Sequence, residues 1–106
     1  MKIIDTKGSI LTGDNHPSLK IGDKLYTVDD RKSTWDKIQQ AQADPTTEDA
    51  NMVALELALG KKAVKEIMEA DGGISFEGFQ NLTFYVMAAI TGQDYETLKK
   101  EAMSKN

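Results

Sequence analysis

The sequence predicts an α+β fold, mostly helical, in which a small N-terminal β-hairpin or sheet packs against four or five helices. Three observations carry that expectation. Strand-like patterning is confined to the first 28 residues, and from Asp29 onward apolar residues recur at helical spacing. Breakers punctuate the helical stretch at Pro45, Gly60, Gly72-Gly73 and Gly92. Strands gathered early and helices gathered late argue against a βαβ alternation. A chain of 106 residues has room for one domain. We divide it into a β-prone arm, residues 1–18, and a hairpin-plus-helices domain, residues 19–106.

The arm holds two short β-prone pieces, Ile3-Ile4 and Ser9-Ile10-Leu11-Thr12, set among the turn formers Gly8, Gly13, Asp14, Asn15 and Pro17. Leu19-Lys20-Ile21 then alternates apolar with polar, Gly22-Asp23 supplies a two-residue turn, and Lys24 to Val28 returns, which is a hairpin signal. A first helix is expected from Asp30 or Ser33, with Ser33 and Asp36 as a capping pair, ending before Asp44-Pro45. Thr46-Thr47-Glu48-Asp49 opens a second, with its acids in the first turn. Gly60 stops or kinks that helix, and Lys61 to Ala70 continues with Ala63, Val64, Ile67 and Met68 on one stripe. Gly72-Gly73 ends this segment. Ser75 caps a fourth helix running to about Thr91, and Asp94 caps a last one through Tyr95, Leu98 and Ala102 before a frayed Ser104-Lys105-Asn106. Tyr26 and Trp35 are expected to anchor the first helix to the hairpin.

Composition narrows the function classes. The chain has no cysteine, which excludes disulfides, thiolate nucleophiles and cysteine-bound metals. No apolar run approaches the ~18 residues of a membrane span, and the charged start, Met1-Lys2-Ile3-Ile4-Asp5, does not read as a signal peptide. With a net charge of −4 and no basic stripe, nucleic acid is a poor partner. Asp71 to Phe79 resembles the second half of a calcium loop. Placing Gly72 at the glycine position, however, puts Ile67 first and Gly78 twelfth, so both chelating ends are missing. His16, the only histidine, sits among turn formers and reads as a solvated loop residue. Asp29-Asp30 and Glu48-Asp49 fall at helix starts, where capping explains them, and Lys61-Lys62 lacks the remainder of a phosphate loop. No catalytic residue, metal ligand or cofactor is expected.

One stretch is different in kind. Gly78 to Gln93 contains no charged residue. Phe79, Leu82, Val86, Ala89 and Ile90 lie at helical spacing and suit a core face, whereas Phe84, Tyr85 and Met87 fall off that stripe. A helix in so small a domain is seldom enclosed on all sides, so part of this surface is expected to meet a partner or another subunit. The candidate partner-binding residues are Phe79, Leu82, Phe84, Tyr85, Met87 and Ile90. Met52, Met68, Met87 and Met103 suit either an adaptable surface or an ordinary core.

The succession Leu19-Lys20-Ile21-Gly22-Asp23-Lys24-Leu25-Tyr26-Thr27-Val28, then Leu55 to Met68 with its helix launched from Gly60, then Ile74 to Phe79 leading into Val86 to Gly92 and a charged last helix, resembles the tail assembly chaperones of long-tailed bacteriophages or prophages. The likeness runs over residues 19–102 and rests on pattern; residues 1–18 fall outside it. The resemblance implies a non-catalytic chaperone that binds and solubilises the tape-measure protein before tail-tube polymerisation. It implies a homo-oligomer acting in the cytoplasm of the bacterial host and left out of the mature virion, with the tail-tube protein as a further partner. The alternatives are a phage or prophage structural protein such as a head–tail connector subunit, and a small enzyme or ligand-binding domain.

Overall fold

A computed structural model of the chain describes residues 1–104 other than Thr12 and Asp14, with side chains as far as Glu101. The fold is α+β and mostly helical. Strands β1 (Ser18–Ile21) and β2 (Lys24–Thr27) form one antiparallel hairpin, followed by α1 (Lys32–Ala43), α2 (Ala50–Leu59), α3 (Lys61–Glu69), a single 3-10 turn (Ala70–Gly72), α4 (Phe76–Thr91) and α5 (Tyr95–Ser104). No helix among the described residues is long and apolar enough to cross a membrane.

The hairpin turns through Gly22-Asp23, and its register pairs Ile21 with Lys24, Leu19 with Tyr26 and Ser18 with Thr27. Gly22 takes a positive φ of 61°, which a tight two-residue connection requires. Past the strand ends, the Val28 amide donates to the Pro17 carbonyl at 2.9 Å. The β-prone pieces of the arm are not strands: Ile3-Ile4 and Ser9 to Leu11 are exposed and form no strand ladder among the described residues, while Thr12 and Asp14 lie outside the described residues. The arm stands off the body. The radius of gyration is 15.7 Å, against ~13 Å for a packed domain of this length.

Most helix boundaries follow local chemistry. Ser75 caps α4 by accepting the Gly78 amide at 2.9 Å, and Asp94 caps α5 by accepting from the Thr97 amide at 3.2 Å. The first helix departs from expectation. Its N-cap is Arg31, which makes no side-chain capping bond, and Ser33 lies inside the helix. Asp36 is taken by the Lys32 ammonium one turn earlier, so the Ser33–Asp36 pair does not form. The acids before α2 also stand ahead of its first turn: Asp49 is the N-cap itself, accepting from the Met52 amide at 3.3 Å. At the C-terminus α5 is regular through Ser104, and Lys105 and Asn106 lie outside the described residues.

The core is built around α2, which packs on α1, α3 and α4. Ala54, Leu55 and Ala58 of α2 are buried with Val28, Ile38, Val64, Ile67, Leu82 and Val86. Small residues at 54 and 58 lie one turn apart on one face, where they let neighbouring helices approach closely. The sheet is joined to this core at Asp29, whose amide donates to the Ala58 carbonyl at 2.8 Å. The Asp29 carboxylate accepts two hydrogen bonds from the Arg31 guanidinium, at 2.9 and 2.7 Å, and one from the buried Thr34 hydroxyl at 2.8 Å. Tyr26 and Trp35 do their anchoring elsewhere than expected. The Tyr26 hydroxyl and the Lys24 ammonium both donate to Glu66 on α3, while Trp35 lines a small cleft with Ile90 and Thr91 of α4.

Two consequences are measurable. Leu55→Ala should cost about 2–5 kcal/mol in urea unfolding, the range for an enclosed leucine, with the slope of the transition unchanged. The Arg31 guanidinium holds the Asp29 carboxyl well below the usual carboxylate range, and the Thr34 hydroxyl adds to this against the opposing pull of burial. A carboxyl depressed in the folded state stabilises above its unfolded value of about 4, and that contribution is lost as pH falls further. Asp29→Asn should therefore lower the urea midpoint at neutral pH, and the two proteins should converge as pH falls from about 5 towards about 2. Parallel curves over that range would show that Asp29 is not the titrating corner.

Candidate functional site

The uncharged stretch of α4 is helical despite Gly78 and the β-branched Thr83, Val86, Ile90 and Thr91, because its ends are capped and Leu82 and Val86 are buried in the core. Ser75 supplies the start, Gly92 at a φ of 76° supplies the left-handed stop, and the Gly92 amide donates back to Ala88. Thr83 and Thr91 satisfy their hydroxyls on the carbonyls one turn earlier, Phe79 and Met87, so neither needs an outside partner.

The six candidate residues divide into two sets. Leu82 is buried in the core, and Phe79 and Ile90 are half-buried and packed against it, as is Ala89. Phe84 and Met87 are half-buried but not among the side chains packed on the core, and Tyr85 is 46% exposed. Helix α5 covers part of this second set. The Tyr95 ring stacks on Tyr85 with centroids 3.8 Å apart and planes within 4°, and the Tyr95 hydroxyl donates to Asn81 at 3.0 Å. Lys99 lies 5.8 Å from the same ring centroid, so the stack carries a cation on its outer side. Phe76, at the head of α4, is 74% exposed; nothing in its spacing distinguished it.

An open cleft of about 510 Å³ runs between β1 and α4. Its lining is mainly apolar, with Leu19 and Ile21 on one side, Leu82 and Tyr85 on the other, and Ile67 and Ile74 below. All four residues of β1 line it, although successive residues of a strand face opposite ways. The cleft therefore follows the unpaired edge of the strand as well as one face. Its volume falls in the range of sites that hold a compact ligand or a few side chains.

His16 is not a solvated loop residue. Its Nδ1 lies 2.7 Å from Asp30 Oδ1, and both side chains are more than two-thirds sheltered. An ionised carboxylate only accepts, so the ring nitrogen carries the proton. This contact fixes the base of the arm beside the start of α1, in a second cleft shared with Val28, Asp29, Arg31 and Gly60. Among the described residues no group of three or more His, Asp or Glu gathers as a metal site, and no buried side-chain polar atom lacks a partner.

The arrangement places a wide apolar helix face, an apolar cleft and an open strand edge side by side. Comparison with protein-family models, with curated proteins and with solved structures finds no match.

Proposed function

We propose that the chain is a non-catalytic assembly chaperone, of the kind that keeps a tape-measure protein soluble in the host cytoplasm until tail-tube subunits enclose it. The observation that carries this reading is the outer side of α4, where Phe84, Tyr85 and Met87 lie off the core in a stretch with no charge from Gly78 to Gln93. A tape-measure protein exposes long apolar helical stripes before the tube forms, and such stripes are bound by apolar surfaces with polar rims. Lys99 and Glu96 of α5 supply a rim beside the Tyr85–Tyr95 stack. Many weak contacts along one client give avidity yet leave each contact displaceable by tube subunits. The chaperone leaves with that displacement, which distinguishes it from a connector subunit retained in the particle.

The test is co-expression with the longest coiled-coil protein encoded in the same gene cluster. The client should be soluble only with this chain present, and the two should co-purify with many copies of the chain per client. Met87→Lys, a charge on the outer side of α4, should cut the recovered client about tenfold or more, with the far-UV spectrum unaltered. Client solubility that is indifferent to this chain sinks the proposal, and recovery of the chain from purified particles would replace it with a structural role.

A further inference from the structure

The arm is a hairpin turn without a sheet. Lys7 and Gly8 both have positive φ, 52° and 78°, and the Ser9 amide donates to the Thr6 carbonyl at 3.0 Å. Positive φ at both central residues is the signature of the type I′ turn, the connection whose twist suits two antiparallel strands. Asp5 reinforces it by accepting from the Lys7 amide at 2.9 Å. Among the described residues the flanking segments nevertheless form no strand ladder, and they present Ile3, Ile4, Ile10 and Leu11 to solvent, each at least 69% exposed. A lone two-stranded hairpin is marginal in water and becomes stable when it joins a larger sheet over an apolar face.

The body carries a matching vacancy. In the β1–β2 register, Ile21 pairs with Lys24 across the two-residue turn, and bonded pairs alternate from there through Leu19 with Tyr26 to Pro17 with Val28. The N–H and C=O groups of Ser18 and Lys20 consequently point away from β2, towards the edge that runs along the apolar cleft. An unpaired edge beside an apolar trough is a template for an added strand.

We infer that the arm hairpin of one copy, residues 3–11, adds to the free edge of β1 in a second copy and seats one of its two apolar faces, Ile3 with Ile10 or Ile4 with Leu11, in the β1–α4 cleft. Two arms exchanged reciprocally close a dimer carrying two four-stranded sheets. The occupant comes from another copy because the arm of a single chain stays off its own cleft, with Ile3, Ile4, Ile10 and Leu11 each at least 69% exposed, while His16, bound to Asp30, holds its base beside α1. At roughly 100 Å² per aliphatic side chain, the two residues of each arm that share a face, counted on both partners and both arms, remove on the order of 800 Å² from water, to which the backbone pairing along the strand edge adds. The strand β2 is a weaker template, because the apolar cleft lies against β1. The inference stands on the arm and the strand edge and does not depend on the chaperone reading.

Light scattering on the full chain at high micromolar concentration should give the dimer mass. Ile10→Asp with Leu11→Asp, which spoils the arm, and Lys20→Pro, which removes one outward N–H without touching the β2 pairing, should each give the monomer mass with an unchanged far-UV spectrum. Leu25→Pro, on the outward side of β2, should stay dimeric. Mixing the arm variant with Lys20→Pro should restore a heterodimer, since one keeps its cleft and the other its arm. A monomeric wild type overturns the inference, as do arm and edge variants that remain dimeric.

Discussion

Asp29 closes a polar corner at which the sheet, the first helix and the central helix meet. Its amide is spent on the last turn of α2, through Ala58, and its carboxylate on Arg31 and Thr34 at the entrance to α1. A carboxylate held by four donors, the Arg31 amide included, in a partly sheltered position leaves little freedom in the chain leaving β2. Val28, one residue earlier, is completely buried beside Ile38 and Leu55. Backbone, charge and packing thus fix the hairpin at one angle to the helices, and the position of everything on the other side of β1 follows from that angle.

Because the hairpin is pinned at its β2 end, β1 is the strand that turns towards α4. The two do not close completely: Leu19 and Ile21 approach Leu82 and Tyr85 across a cleft and not across a packed seam. Helix α2 takes the central place, with α1, α3 and α4 around it. That leaves α4 with one face in the core, one flank on the cleft and one flank shared with α5. An apolar helix with no charge after Glu77, in so peripheral a place, keeps surface that water solvates poorly, and such surface is the physical basis for both binding events proposed above.

Much of this was legible in the sequence wherever a feature is decided by neighbours in the chain. The Gly22-Asp23 turn, the stop before Pro45, the break at Gly60 and the caps at Ser75 and Asp94 are local chemistry, and each stands where its residues put it. The misses are long-range or competitive. His16 finds Asp30 fourteen residues away, and Glu66 gathers Lys24 and Tyr26 from about forty; no periodicity encodes such pairings. Ser33 and Asp36 had capping chemistry, but Asp29 and Lys32 claimed the helix entrance first. The open side at Tyr85 was legible from its place off the core stripe, but the exposure of Phe76 was hidden, since an apolar residue at a helix start does not say whether anything is available to bury it.

The account turns on α2 being enclosed while α4 keeps an open apolar side that a client covers. Carbene footprinting labels apolar side chains by their access to solvent, and so reads this difference directly. In the free chain, residues 76–91 should take label at Phe76, Tyr85 and Met87 while the buried Ala54, Leu55 and Ala58 stay nearly unlabelled. In the co-expressed client complex, the α4 label should fall and the α2 pattern should not change. Equal labelling of the two helices, or a complex that leaves the α4 label undiminished, would contradict the account.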